Sequence, residues 1–301
     1  MAATPRARSP SPDAVEIFAD SLESLYDHHM PAHGDPLQLY TYRPSDPATK
    51  AFTVRLPPQQ VNSLFAHHVW NASLRLADLI ADGRLPVRGL SVLEMGAGAG
   101  IPALMAARAG AEQVVISDYD DAALVANLRD NVQMALEDVP KARSRTSARG
   151  HTWGEEPSLQ QLLAANSDSR FSLILLADTL WMSSGHELLL SSLRELLARS
   201  DSARVAICAG FHSGRATVRS FLRKAERAGF VRRGAWEELG VDGRRRPWGW
   251  DCAPKATESG AEVEAEVDDS EWAEKEDASE RNKWVVEGLL GWSDLALAQG
   301  A

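Results

Sequence analysis

The stretch LSVLEMGAGAGIPALMAARAGAEQVVISDYDD, residues 90–121, constrains the fold more than any other part of the chain. An apolar run, Leu90–Leu93, leads into glycines at alternate positions, Gly96, Gly98 and Gly100. Pro102 then opens a helical run, and a second apolar run, Val114–Ser117, ends on Asp118. Glycines at the tip of a strand let the backbone approach a ligand closely, and the amides of the following helix point at it. The 22 residues from Gly96 to Asp118 match a strand–helix–strand unit. An acid ending its second strand can accept hydrogen bonds from ribose hydroxyls. The pattern predicts a nucleoside-type cofactor at the edge of a parallel α/β sheet; the bland alternative is a tight turn.

Glu94 stands two residues before the first glycine. A carboxylate there would repel a pyrophosphate in a poorly screened crevice but suits a ligand carrying an ammonium and a sulfonium. That favours S-adenosylmethionine over a dinucleotide. A phosphate-binding G-x-x-x-x-G-K-[ST] loop is absent.

The rest of the chain alternates in the same way. LQLYTYR and AFTVRL read as an N-terminal β-hairpin (37–56), and Val69–Ile80 as a helix stopped by Gly83 and Pro86. Further strands are expected near Ser147–Thr152, Ser172–Ala177, Arg204–Ala209, Phe230–Trp236 and Lys283–Leu290, with helices over Ile101–Ala109, Asp121–Met134, Leu188–Leu197 and Gly214–Ala228. The expectation is a seven-stranded, mostly parallel, Rossmann-like sheet with helices on both faces and an antiparallel last strand. Residues 1–14 read as a disordered tail, Ala14–His29 as a short helix, 15–292 as the single domain with an acidic loop insertion at 254–280, and 293–301 as a tail.

Several residues could carry chemistry. Asp118 reads as a ribose acceptor or a helix N-cap, and Glu94 as a partner of the ammonium or a cap of the glycine turn. Tyr119 flanks the adenine or merely lines the loop. Trp70 is a cofactor contact or plain core. Trp153, in the irregular segment GHTWG, is a stacking candidate. Asp178 ends a strand, beside the reacting groups if ligands bind at the carboxyl ends of strands, or caps the next helix through Thr179 and Leu180. Trp181 is placed for an acceptor pocket, where it can stabilise charge on nitrogen.

VLEMGAGAGIPALMAARAGAEQVVISDYDD, together with HHVWNASLRLADLI, GHTWG, FSLILLADTLW and RNKWVVEGLLGW, resembles the seven-strand S-adenosylmethionine-dependent methyltransferases. It is most similar to the eukaryotic branch of protein lysine and N-terminal methyltransferases, whose fungal members were once labelled nicotinamide N-methyltransferase-like and some of which modify translation elongation factor 1-alpha. The resemblance spans roughly residues 37–292. It implies cofactor binding by Trp70, Glu94, Gly96, Ala97, Gly98, Asp118, Tyr119, Trp153 and Ala177, and catalytic roles for Asp178 and Trp181. The acceptor it implies is a protein lysine or N-terminal amine; the alternative is a small-molecule N- or O-acceptor. Relatives acting on elongation factor show an Asn-His pair soon after the acid, where this chain has Met182 and Ser183.

Composition excludes other classes. The net charge is −10, and Glu258–Glu280 holds eleven acids against Lys275, which accounts for all of it. A near-neutral remainder gives no electrostatic footprint for nucleic acid. No apolar run reaches 18 residues, and the N-terminus has no apolar signal core. The two cysteines, Cys208 and Cys252, are too few for a disulfide framework. The histidine pairs His28–His29 and His67–His68 do not share a helix face, so no metal centre is expected. A monomer in the cytoplasm, or alternatively the nucleus, is the expectation.

Overall fold

The protein is described by a computed structural model covering residues 32–59, 66–249 and 278–299. The tail over 1–14, the helix over 14–29 and the acidic segment up to residue 277 lie outside the described residues.

In chain order the elements are β1 (Ala32–His33), β2 (Leu39–Tyr42), β3 (Phe52–Arg55), β4 (Val69–Trp70), α1 (Asn71–Ala81), β5 (Ser91–Met95), α2 (Ile101–Arg108), β6 (Gln113–Asp118), α3 (Ala122–Ala135), α4 (Pro140–Arg143), β7 (Thr146–Gly150), α5 (Glu156–Ala165), β8 (Leu173–Ala177), α6 (His186–Leu196), β9 (Arg204–Gly210), α7 (Arg215–Arg227), β10 (Phe230–Gly240), β11 (Arg245–Pro247), β12 (Trp284–Trp292) and α8 (Asp294–Ala298). The main sheet runs β11-β10-β12-β9-β8-β5-β6-β7. From β9 to β7 all pairs are parallel, whereas β12 inserts antiparallel between β9 and β10. β2 and β3 form the expected separate hairpin, in register from Leu39 opposite Arg55 to Tyr42 opposite Phe52.

The sequence explains the layers. β8, LILLA, is buried at every position, as a central parallel strand covered on both faces must be. One core contains Leu76 and Ile80 of α1, Leu104 of α2, Leu128 and Val132 of α3, and the hairpin residues Tyr42 and Val54. The other contains Leu159 and Leu162 of α5, Leu189 and Leu193 of α6, and Phe221 of α7. Strand alternation divides β5 between them: Val92 faces the first core, Leu93 and Met95 the second. The chain leaves β5 outward through β6 and β7 and returns to β8 on β5's other side, so β5 and β8 flank the switch point where open α/β sheets bind ligands.

Four features differ from expectation. The sheet has eight strands, because β10 continues past Trp236 to Gly240 and turns back into β11. Trp70 is not on a helix: it pairs with Ala32 in a two-strand ladder and stands as the N-cap of α1, with extended φ and ψ of −85° and 147°. The segment between β7 and β8 holds a ten-residue helix, α5. The C-terminal tail contains α8, capped by Ser293, whose hydroxyl accepts from Ala296 N–H.

Candidate active site

The carboxyl ends of β5, β6, β7 and β8 open onto one cavity of about 220 Å³. The start of α1 and the segment after β8 close it, bringing Trp70, Trp181, Met182 and Leu188 to its wall.

The glycine turn forms its floor. Gly96 and Gly98 have φ of +67° and +55°, a left-handed backbone that side chains disfavour. A Cβ on Gly96 would also lie 2.7 Å from Thr179 Cγ2, and one on Gly98 would lie 3.3 Å from the Ala66 carbonyl. Asp118 pins this turn: its Oδ2 accepts from Gly98 N–H at 2.6 Å and its Oδ1 from Tyr119 N–H at 2.7 Å. Burial raises the Asp118 pKa, and the two amides oppose that shift. Asp118 itself lines the cavity. The cap of α3 is Asp121, which accepts from Ala123 and Leu124 N–H, so the capping alternative for Asp118 does not hold.

Glu94 is a correction. It shares Val92's face of β5, is fully buried and does not line the cavity. Its Oε2 accepts from Ala103 N–H of α2 at 2.9 Å, a helix whose own N-cap, Gly100, has no side chain to offer. Burial pushes the Glu94 carboxyl up to about 8. Glu94 therefore caps the helix after the glycine turn, and it lies off the cavity wall.

Trp153 follows β7, its ring edge 3.7 Å and 3.2 Å from the Cβ positions of Gly96 and Gly185. Behind it His151 is buried and bridges two hydroxyls, Nδ1 to Ser158 Oγ at 2.8 Å and Nε2 to Ser192 Oγ at 3.0 Å, and Ser192 Oγ also accepts from Gly154 N–H. Tyr119, about half exposed, and Ala97 and Ala177 complete this side.

Asp178 has φ of +57°, a strained conformation of the kind that collects at functional sites. Its Oδ1 accepts from Gly210 N–H at 2.9 Å, and its Oδ2 lies 2.9 Å from His212 Nε2. It does not cap the following helix. Beside it the buried hydroxyl of Thr179 has no hydrogen-bond partner among the described residues. Thr179 lines the cavity, its Cγ2 lying against Gly96. All the residues read from the sequence line this cavity except Glu94. Thr179, His151 and His212 were missed: Thr179 lies next to a residue that was read, and the histidines stand alone in sequence. Among the described residues no cluster of three metal-ligating side chains occurs, and no helix is long and apolar enough to cross a membrane.

The family profile described as lysine methyltransferase matches residues 51–228, more than half of the chain. This chain belongs to the lysine methyltransferase family. Protein N-terminal and lysine N-methyltransferase EFM7 of Gibberella zeae is 32% identical over 187 residues, which is 60% of this chain and 68% of that protein. The EFM7 protein of Cryptococcus neoformans var. neoformans serotype D is 28% identical over 200 residues, 66% of this chain. The match spans only 60% of that relative's length. A solved structure described as a SAM-dependent methyltransferase from Streptococcus mutans shares the fold, with TM-score 0.51 and 11% identity over 86% of this chain and 56% of that one. As a lysine methyltransferase family member this chain is an S-adenosylmethionine-dependent methyltransferase. The glycine cradle and the carboxylate of Asp118 fit that cofactor.

Proposed function

We propose that this protein methylates a protein amine, a lysine side chain or an N-terminal amino group, with translation elongation factor 1-alpha as the acceptor that the resemblance favours. The carrying observation is Asp178. Its carboxylate, locked from two sides at the tip of β8, lines the cavity whose floor is Gly96 and Gly98.

Bound S-adenosylmethionine supplies a methyl group already activated on a sulfonium. The chain's own residues then have three tasks. Asp118 would accept from the ribose hydroxyls, Trp153 and Tyr119 would hold the adenine, and Ala97, Ala177 and Trp70 shape the remaining wall. Asp178 accepts a hydrogen bond from the acceptor amine and aims its lone pair, an alignment worth several orders of magnitude in rate. Trp181 stabilises the charge that grows on nitrogen, by about 0.5–2 kcal/mol. A free lysine titrates near 10.4 and an α-amine near 7.7–8.0, so the second is the easier acceptor at neutral pH.

Met182 and Leu188 on the cavity wall, in an aromatic enclosure, keep a small-molecule acceptor as the second reading. The test is to incubate the enzyme and methyl-tritiated cofactor with a lysate of cells lacking it, then separate protein from small molecules. Label in a protein band, mapped to lysine or an N-terminus by mass spectrometry, is the expected result. Label confined to the small-molecule fraction overturns the reading. Asp178→Asn should lower transfer by about a hundredfold while cofactor affinity stays within about twofold.

A further inference from the structure

The end of β9 and the two residues after it, Gly210-Phe211-His212, belong to none of the sequence motifs discussed above, yet the structure sets them directly behind Asp178. We infer that His212, seated on Gly210, is a positioning residue for methyl transfer: it fixes the carboxylate plane of Asp178 and the ring of Trp70 relative to the acceptor. The inference rests on the reading that Asp178 meets the acceptor amine.

Three independent features support it. First, His212 and Asp178 are both buried, with side chains 7% and 4% exposed, and meet at 2.9 Å. A carboxylate only accepts, so Nε2 carries the proton and donates. With Gly210 N–H on Oδ1, each oxygen of Asp178 is held by one donor, and the carboxylate cannot rotate without breaking a buried bond. Asp178 itself lines the cavity.

Second, the ring of Trp70 packs on His212 with centroids 4.6 Å apart and planes at 57°. Trp70 lines the main cavity whereas His212 does not, so His212 buttresses two wall residues from behind. Third, the backbone is built for this ring. A Cβ on Gly210 would fall 2.5 Å from His212 Nε2 and 2.9 Å from Cε1, although nothing about Gly210's φ calls for glycine. The other ring nitrogen, Nδ1, is buried without a partner among the described residues, beside a second cavity of about 10 Å³ that His212 and Asp178 share with Asn282 and Trp284.

The test compares His212→Gln, His212→Phe and Gly210→Ala with wild type, on whichever acceptor wild type labels. Glutamine keeps an N–H donor at about the reach of Nε2. Phenylalanine keeps a ring against Trp70 without the donor, and alanine at 210 displaces the imidazole while retaining the peptide N–H. His212→Phe and Gly210→Ala should lower kcat by roughly ten- to a hundredfold, the cost of misplacing a reacting group by about an ångström. Cofactor Kd should stay within about twofold, and His212→Gln should recover most of the rate. Equal loss in the Gln and Phe variants, or a wild-type rate in Phe, overturns the donor role. Imidazole nitrogen-15 shifts on the unmodified enzyme provide a measurement that needs no folded variant: a bare Nε2 overturns the inference. If Asp178→Asn itself keeps full activity, the proposed role of Asp178 fails first; if it loses activity while His212→Phe does not, only the positioning role fails.

Discussion

Aromatic residues at a cavity wall act on a ligand, on the core or on both; Trp153 lines the cavity and packs against the second core. It is only partly buried, and its loop is held by the His151–Ser158–Ser192 hydroxyl bridge, independently of the tryptophan ring. Trp153→Ala should therefore weaken the cofactor by about 1–3 kcal/mol, the usual worth of stacking on an aromatic base. The melting temperature of the cofactor-free enzyme should move little. Calorimetry together with a melt decides: a collapsed melt with unchanged affinity per folded molecule would make Trp153 a core residue. Residues like this were legible because a strand tip has a sequence signature; Gly96, Asp118 and Asp178 each follow an apolar run. Glu94 was not, because both faces of β5 are covered by helices and only the structure sets its Oε2 on Ala103 N–H. His212 was not, because its partner lies 34 residues away and only the β8–β9 pairing brings them together.

At the scale of elements, the antiparallel insertion of β12 is tuned by one glycine. A Cβ on Gly288 would lie 2.1 Å from Trp236 Cδ2, so the indole occupies the space over the glycine, at the register shift between Arg233 and Glu237 of β10. The same indole donates from Nε1 to the Leu289 carbonyl at 3.2 Å. Gly288→Ala should destabilise the protein by about 1–3 kcal/mol through overpacking, read as a shift in the urea midpoint. Trp236 is no part of the cavity wall, so cofactor affinity per folded molecule should hold. An unshifted midpoint would show that the bulge absorbs the methyl group. Apolar runs made β5, β6, β8 and β9 legible. β11 was not, since Arg245, Arg246 and Pro247 are all exposed and carry no apolar pattern. β4 was hidden by its length, two residues whose partners lie some 37 positions upstream.

The whole molecule carries buried titratable groups that pull stability in opposite directions with pH. Burial raises Glu94 from 4.5 to about 8. An acid whose folded pKa is raised contributes fully below its unfolded pKa, and that contribution is lost as pH rises toward the folded value. Burial lowers His151 and His67 from 6.5 to about 4 each. For a base held neutral in the fold, stability is full above 6.5 and falls as pH drops toward 4, because the unfolded chain takes up the proton first. Between 4.5 and 6.5 the histidines outweigh Glu94, and above 6.5 Glu94 acts while they are silent. The cofactor-free enzyme should thus be most stable near pH 6.5, with His151 alone contributing about 3 kcal/mol to the acid limb. Asp118, also raised by burial, opposes the histidines as pH rises above 3.8, and Glu287, held down by Arg75 and Arg245, adds to the acid side. Glu94→Gln removes the opposing contribution. Glutamine can still accept from Ala103 N–H but cannot ionise, so the decline between pH 6.5 and 8 should flatten and the rise between 4.5 and 6.5 should steepen. Because Glu94 caps α2 and does not face the cavity, cofactor affinity should also survive the change. Melting curves from pH 5 to 9 and one titration of cofactor test both halves. An unaltered alkaline slope would place that ionisation elsewhere, and a large loss of affinity would restore Glu94 to the ligand's ammonium.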